Sequence, residues 1–313
     1  MTYASAKLVM KELSRARIRK LKMELRYALI LLKRSPLTLA GLIIIGTLSV
    51  IALICTIAPQ ILPYPEDIGS ATHPELLHCP PSPEHPFGCD YLGRDVLTRV
   101  IYGTKISLYA GALVVLLGLS LGTLIGLIAG YVGGIVDDVL MRITDAFLSI
   151  PGLVLALAIA ATLGRGLMNA IIALAVTWWP WYARLVRSCT LAVKNELFVL
   201  AARIMGARSI VIMLKHILPN ALGPAIINAT LDLGFAILAL ASLGFLGLGA
   251  TPPTPEWGAM ISEARKYLPN MWWEATFPGL MIFLAVLGFN LLGDGLRDLL
   301  DPKFRRGARV WRI

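Results

Sequence analysis

Long runs without a charged side chain constrain this chain more than any other feature of its sequence. No Asp, Glu, Lys or Arg occurs from 35 to 65 or from 106 to 136. An α-helix needs about 20 apolar residues to cross a bilayer core of roughly 30 Å, and it satisfies every backbone polar group internally. Of the 313 residues, 57% are hydrophobic and only 15% are charged. The sequence therefore predicts an all-α, polytopic membrane protein.

Six segments have the length and apolar character of membrane spans, or come close to it. They are 37–57, a stretch within 106–136, 146–164, 166–183, 219–246 and 275–293. Only Arg165 separates the third from the fourth, so we expect two antiparallel helices joined by a tight turn. Six transmembrane helices would place both termini on the same side of the membrane.

The distribution of Lys and Arg indicates which side that is. The two terminal segments and the connections on their side carry 23 of the 29 cations, against 6 on the opposite side. Cytosolic segments carry such an excess, so both termini are predicted to be cytosolic. The same bias explains most of the net charge of +10. No nucleic-acid partner is needed to account for it, and membrane lipid is the expected neighbour of the basic N-terminal arm.

On this basis the chain divides into five predicted parts. They are a cytosolic basic arm (1–36), a first transmembrane helix (37–58), an extracytoplasmic loop (59–105), a transmembrane core (106–300) that contains a cytosolic elbow (195–219), and a cytosolic tail (301–313).

The elbow contains the sequence LAARIMGARSIVIMLKHILP from 200 to 219, which is too charged for lipid. A short helix is predicted over 195–205, ending at Gly206, because glycine readily adopts the positive φ of a helix C-terminus. A second helix is predicted over 207–217, with Pro219 in the first turn of the next span. The small side chains of Ala201 and Ala202 would let another protein approach closely.

The run LAARIMGARS followed by HILPNALGPAI resembles the cytosolic coupling motif of ABC importer permeases. Segments at 85–108 and 130–164, and most of the last third of the chain, are similar to the second permease subunit of dipeptide, oligopeptide and nickel importers. The resemblance extends over nearly the whole chain from 33 to 302. It implies the type I ABC importer permease fold with six transmembrane helices, in a prokaryotic inner membrane.

In such permeases the elbow docks into a cleft of the ATPase subunit and transmits its closure to the membrane helices. The resemblance assigns this coupling role to nine residues, which are Ala201, Ala202, Arg203, Gly206, Ala207, Arg208, Ile217, Leu218 and Pro219. The glutamate common at the first position of the motif is Leu200 here, so any salt bridge of that glutamate would be absent. The alternative interpretation is an amphipathic connector without a partner.

The resemblance also implies partners: a homologous second permease subunit, two ABC ATPase subunits and an extracytoplasmic substrate-binding protein. The chain contains no Gly-Lys pair and so lacks the G-x-x-x-x-G-K-[ST] phosphate loop. No enzymatic activity and no cofactor are expected in it, and ATP and magnesium are expected on the ATPase subunits.

Short peptides are the predicted substrate of such a permease. Nickel or another small solute carried by the same family is the alternative. A self-contained secondary transporter is a more distant one, since it would usually show internal repeats and several charges within its spans.

Asp232 is the one acid in the otherwise apolar fifth span, and Asn228 lies one turn earlier on the same helix face. A carboxylate that faces lipid is unfavourable, so both residues are candidates for the wall of the translocation pathway. There Asp232 would attract the cationic end of a substrate. A buried hydrogen bond or ion pair with another helix is the alternative role.

The 59–105 loop contains Cys79, Cys89 and three of the four histidines. Two cysteines ten positions apart on the oxidising side of a membrane predict a disulfide, with two free thiols as the alternative. Their spacing with the histidines matches no standard zinc pattern, so no metal site is predicted. The loop is expected to be solvated or to contact the binding protein. The WWPWY cluster at 178–182 is interpreted as an aromatic belt at the membrane surface.

Overall fold

The structure, a computed structural model, describes residues 35–300. Nearly all of the predicted basic arm and the whole predicted tail lie outside these residues. The described part is helical, with one isolated bridge between Cys89 and Asp95 and no β-strand, which confirms the all-α prediction for it. Its α-helices are α1 (Pro36–Ile57), α2 (Val96–Val132), α3 (Gly134–Leu148), α4 (Gly152–Leu163), α5 (Leu167–Lys194), α6 (Leu197–Ile204), α7 (Ser209–Phe245), α8 (Trp257–Ala264) and α9 (Trp273–Leu300).

The start of α2 corrects two predicted boundaries, the end of the loop and the start of the core. The helix begins at Val96 rather than near 106, because the carboxylate of Asp95 caps it by accepting a 2.7 Å hydrogen bond from the N–H of Thr98. The charged residues Arg99 and Lys105 suggest a loop, but Arg99 is buried among other polar groups. With 37 residues, α2 is about 55 Å long, well beyond a bilayer core of roughly 30 Å.

The predicted third span at 146–164 is wrong as a single straight helix. The axes of α3 and α4 meet at 88° across the break between them. Pro151 accounts for the break, since it supplies no N–H to a continuing helix and disfavours helical geometry in the preceding residue. α3 also exposes several apolar side chains, among them Ile135, and is amphipathic.

Within residues 35–300, four helices are long and apolar enough to cross a membrane: α1, α2, α7 and α9. The bent pair of α3 and α4 is a fifth candidate if it counts as one crossing. α5 has 28 residues, but its second half carries Arg184, Arg187 and Lys194. Residues 35–300 thus form a multi-pass helical protein, and the sixth crossing stays a prediction.

The most extensive helix contact in the described part joins α2 to α5. Glycines recur along one face of α2 at every fourth position: Gly118, Gly122, Gly126 and Gly130. A Cβ atom at position 122 would lie 2.5 Å from both the carbonyl oxygen of Trp179 and the Cβ of Tyr182. Small residues at this spacing let two membrane helices approach closely. The close contact between α2 and α5 buries one side of α5 and leaves another side to face α7.

α8 is anchored against the first turns of α2. Trp257 is fully buried and donates its indole N–H to the carbonyl oxygen of Val100 at 3.0 Å. Glu256 caps α8 by accepting 2.9 Å hydrogen bonds from the N–H groups of Gly258 and Ala259. The segment between α7 and α9 is therefore held in a defined position beside the start of α2.

Candidate functional site

The elbow follows α5 and consists of α6, a glycine turn and the first turns of α7. The N–H of Ala207 donates to the carbonyl oxygen of Ala202 at 3.1 Å, which closes the end of α6. Gly206 has a φ of +80° in this turn. No atom lies within 4 Å of the position that a Cβ of Gly206 would take, so backbone conformation rather than space favours glycine there.

The second half of the elbow differs from the separate helix expected over 207–217. α7 begins at Ser209 and passes through a π-helical turn at Ile212–Ile217 before continuing as an α-helix. Pro219 lies in the first turn of that α-helical part. Proline cannot donate a backbone hydrogen bond, and a wider π turn is one of the known ways in which a helix accommodates this. The elbow therefore continues without a break into the long apolar part of α7.

Burial separates the nine predicted coupling residues into two groups. Ala202 and Ile217 are buried, and Ile217 packs against Val199 and Ile212. These two residues hold the elbow together, which corrects the interpretation of Ala202 as a point of approach for another protein. The other residues are exposed or partly exposed, namely Ala201, Arg203, Gly206, Ala207, Arg208, Leu218 and Pro219.

The tip of the elbow exposes large apolar side chains that sequence reasoning did not single out. Ile204 is 87% exposed and Met205 is 80% exposed, both directly before Gly206. Exposed apolar patches on a folded protein typically mark binding surfaces. The sequence did contain a signal for this exposure. Ile204 and Met205 directly precede the glycine that ends the helix, and side chains at such a helix end have few core residues near enough to contact.

A cavity of about 720 Å³ lies between α5 and α7, with the start of α4 along one edge. Asn228 and Asp232, the two predicted pathway residues, both line it. Most of the wall is apolar or aromatic, and it also includes the side chain of Arg184. The largely apolar wall of this open cavity thus includes one acid and one cation.

Asp232 is half-buried and connects two helices. The hydroxyl of Tyr182 on α5 donates a 2.6 Å hydrogen bond to Oδ2 of Asp232 on α7. The carboxylate therefore lines the cavity and also bonds to a neighbouring helix, and its role in a translocation pathway stays a prediction. Within residues 35–300, no Lys, Arg or His forms an ion pair with it.

The aromatic cluster at 178–182 has a different place from the expected surface belt. α5 does not end near Pro180 but continues to Lys194. Trp178, Trp181 and Tyr182 line the cavity. Trp179 points elsewhere and packs edge-on against Phe147, with the ring centroids 5.3 Å apart. An aromatic cluster shortly before two arginines is equally typical of a surface belt, so the sequence offered no signal that separates the two placements.

Two ion pairs tie α5 to α3. Arg187 makes a bidentate contact with Asp137, with distances of 2.5 and 2.6 Å. Arg184 contacts Asp145 at 2.6 Å, and both of these side chains are about half exposed. The Arg187 pair is the more protected of the two, while solvent screens the Arg184 pair.

The connection from 59 to 95 is not solvated throughout, because its last residues are largely buried. Arg94 and Arg99 are each 1% exposed. Arg94 pairs with Asp90 at 2.7 Å, and Arg99 donates to the carbonyl oxygen of Asp67 at 3.0 Å. Glu263, on α8, lies 3.6 Å from Arg94; burial raises the pKa of this carboxyl, and the two arginines oppose that rise. A buried ionic cluster therefore joins the connection to α8.

A disulfide joins Cys79 to Cys89 in the same connection. A ring nitrogen of His85 lies within 4.8 Å of both sulfur atoms, but bonded sulfurs are not free to act as thiolate ligands. His78 contacts Glu274, the second residue of α9, at 2.5 Å. The disulfide-closed segment is therefore attached directly to the start of α9.

Trp273 provides a second attachment of this segment to α9. Its indole N–H donates to the carbonyl oxygen of Cys89 at 3.1 Å, and the side chain is buried. Trp272, the residue before it, is about half exposed.

Comparison with known proteins relates this arrangement to membrane transport. Residues 122–306 match the family described as binding-protein-dependent transport system inner membrane component. The dipeptide transport system permease protein DppC of Alkalihalophilus pseudofirmus is 46% identical over 274 residues, which are 88% of each chain. The glutathione transport system permease protein GsiD of Escherichia coli O6:K15:H31 is 46% identical over 273 residues, covering 87% of this chain and 88% of that one.

Among solved structures, the methionine ABC transporter MetNI in an inward-facing conformation aligns with a TM-score of 0.49 and 25% identity. The alignment covers 66% of this chain and 97% of that chain. The family match over 185 residues and the two relatives at 46% identity decide the assignment. The chain belongs to the family of binding-protein-dependent transport system inner membrane components, and it is a permease component of an ABC importer.

Proposed function

We propose that this permease pairs with a homologous second permease and forms half of the pathway by which short peptides enter the cytosol. Two separate ABC ATPase subunits, which bind ATP and magnesium, drive the transport, and an extracytoplasmic binding protein delivers the substrate. The relatives named for dipeptide and glutathione transport support peptides over nickel as the substrate.

The exposed apolar tip of the elbow is the observation that carries the coupling role. Ile204 and Met205 project from a short helix whose base is fixed by buried Val199 and Ile217. A rigid base with an apolar tip suits docking into a cleft of another protein, where buried apolar anchors supply much of the binding energy. The continuity of the elbow with α7 supports transmission of ATPase movement to the wall of the cavity.

Orientation follows from the charge distribution rather than from the fold. Arg203 and Arg208 flank the elbow tip, and the 23 to 6 distribution of cations favours the cytosol for this side. The 59–95 connection then faces outward, where the binding protein docks and where a disulfide is stable.

The test uses the complete transporter, purified through a tag on this chain. We expect two ATPase subunits to copurify with it. In proteoliposomes with binding protein, a labelled dipeptide should accumulate only when ATP and magnesium reach the ATPase side. Accumulation of labelled nickel but no peptide would overturn the substrate assignment. Uptake that needs an ion gradient but no ATPase would overturn the importer mechanism.

A further inference from the structure

We propose that the cavity between α5 and α7 contains a subsite for a zwitterionic substrate. Asp232 and the aromatic rings near it bind the ammonium group of a free amino terminus, and Arg184 binds the carboxylate at the other end. This inference rests on the proposed peptide transport and narrows it to peptides with uncapped ends.

The hydrogen bonding of Asp232 leaves it suited to a cation. Tyr182 donates to Oδ2 at 2.6 Å and so orients the carboxylate towards the cavity that it lines. Within the described residues no basic side chain pairs with it. An ionised carboxylate in a largely apolar chamber is unfavourable without a positive partner. A substrate ammonium group supplies that partner during passage.

The rings near Asp232 provide a second interaction for the same group. Trp178, Trp181 and Phe235 share the cavity wall with the carboxylate. Phe235 lies three positions after Asp232 on α7, and Trp178 lies four positions before Tyr182 on α5, so each is on the same helix face as its neighbour. Trp181 and Phe235 are more than half exposed despite their size. Aromatic faces beside a carboxylate attract an organic ammonium ion through the ring quadrupole.

The chemistry of the wall also discriminates between substrate classes. Its described residues include no histidine and no cysteine. Imidazole is a favoured ligand of nickel, and aromatic carbon is not. The wall therefore favours a peptide over a nickel ion.

Arg184 provides the positive end of the subsite. Its side chain lines the cavity two positions after Tyr182 and pairs with Asp145 at 2.6 Å. Because both partners are about half exposed, solvent screens their attraction, and the guanidinium has donors left for a second carboxylate. The acid and the cation in this cavity wall are opposite in charge to the two ends of a short peptide.

The test measures equilibrium binding of labelled dialanine to the detergent-purified transporter without its binding protein. Unlabelled dialanine, N-acetyl-dialanine and dialaninamide compete for the label. Loss of one charge-assisted contact should weaken binding of each capped ligand about tenfold. Asp232→Asn should abolish the preference over the acetylated ligand and keep the preference over the amide. Arg184→Gln should do the reverse.

Two variants outside the cavity serve as matched controls. Asp294→Asn removes an exposed acid from α9, and Arg142→Gln removes an exposed cation from α3. Both should keep the two wild-type preferences. Asp232→Glu and Arg184→Lys retain charge and should keep part of each preference, which provides a readout if a neutral variant fails to assemble.

Equal binding of free and capped ligands by the wild-type transporter would overturn the subsite, as would no binding of dialanine at all. An equal loss of affinity for all three ligands in both Asp232→Asn and Arg184→Gln would overturn it too. ATP-dependent dipeptide uptake in proteoliposomes would in each case still support the proposed function. Failure of the subsite is therefore distinguishable from failure of peptide transport.

Discussion

The 59–95 connection and the elbow differ in which kinds of side chain they bury and which they expose. In and just after the connection, Arg94 and Arg99 are each 1% exposed, as if they were core residues. At the tip of the elbow, Ile204 is 87% exposed and Met205 is 80% exposed. Hydropathy alone predicts the reverse, with arginines in solvent and large apolar residues inside.

In the first region, buried charges are compensated by other residues of the same chain. In the second region, large apolar side chains are left uncovered. Arg94 and Arg99 contact carboxylates and carbonyl oxygens on the connection itself and on α8, which compensate their charges, although Nη2 of Arg94 and Nε of Arg99 have no hydrogen-bond acceptor within residues 35–300. The apolar tip of the elbow has no such cover among residues 35–300. Disruption of the connection should therefore affect stability, whereas disruption of the elbow should affect association.

Arg99→Met is expected to have the largest effect on stability. The substitution keeps much of the volume but leaves Asp90 and Glu263 with less compensation, and breaking a buried ionic cluster in this way destabilises by about 3–5 kcal/mol. Thermal unfolding of the purified transporter measures it. Lys266→Met, an exposed cation just after α8, is the control and should have little effect. Equal unfolding temperatures for both variants would mean that the buried cluster is not a stabilising feature.

Removal of the disulfide should have the next largest effect. Cys79→Ser together with Cys89→Ser releases a loop closed over ten positions and should lower the free energy of unfolding by about 2–3 kcal/mol. Cys189→Ser, at a partly buried free cysteine, should change stability less. Intact-mass measurement after thiol blocking checks the bond, and four blocked thiols in the native protein would rule it out.

Gly206→Ala tests the turn of the elbow. Alanine at a φ of +80° should destabilise the turn by about 1 kcal/mol. Gly279→Ala in α9 is a matched control, because open space and helical geometry there make alanine neutral or stabilising. We expect Gly206→Ala to reduce ATP-dependent uptake while the transporter still assembles. Unchanged uptake would show that the position of the tip does not matter for coupling.

The double substitution Ile204→Ser and Met205→Ser should have the smallest effect on stability, within about 0.5 kcal/mol, because both side chains are exposed. Retention of the ATPases on the tagged permease should nevertheless fall about tenfold or more if the tip is a binding anchor. Ile61→Ser, at an exposed isoleucine in the 59–95 connection, should leave retention unchanged. Equal retention in all three proteins would contradict the contrast between the two regions.

Local signals in the sequence were enough for several elements. The charge-free runs correspond to α1 and to most of α2, and the start of α9 lies within two residues of the predicted sixth span. The first helix of the elbow and its glycine turn occur where they were expected, although the second helix is the start of α7 rather than a separate element. Each of these features depends on residues within a few turns of one another, so propensity and periodicity describe them well.

Other features depended on residues that a local pattern cannot connect. The prediction ended the loop at 105 because Arg99 and Lys105 are charged, and it overlooked the cap that Asp95 provides ten residues earlier. The bend between α3 and α4 is marked by Pro151, yet the apolar run on both sides resembled one span. The cavity rings at 178–182 resembled a surface belt because position along α5 is not visible in composition.

The sequence by itself determined that this chain is a multi-pass helical permease, because the membrane requires long apolar helices and the family motifs are contiguous. Only the tertiary structure decided which polar groups meet: Tyr182 with Asp232, 50 residues apart, and His78 with Glu274, 196 residues apart. The energy of burying a charge depends on the partner that reaches it and on the solvent it loses. Both are properties of packing between distant segments, so the burial of Arg99 and the bond from Tyr182 to Asp232 could be recognised only once the helices were assembled.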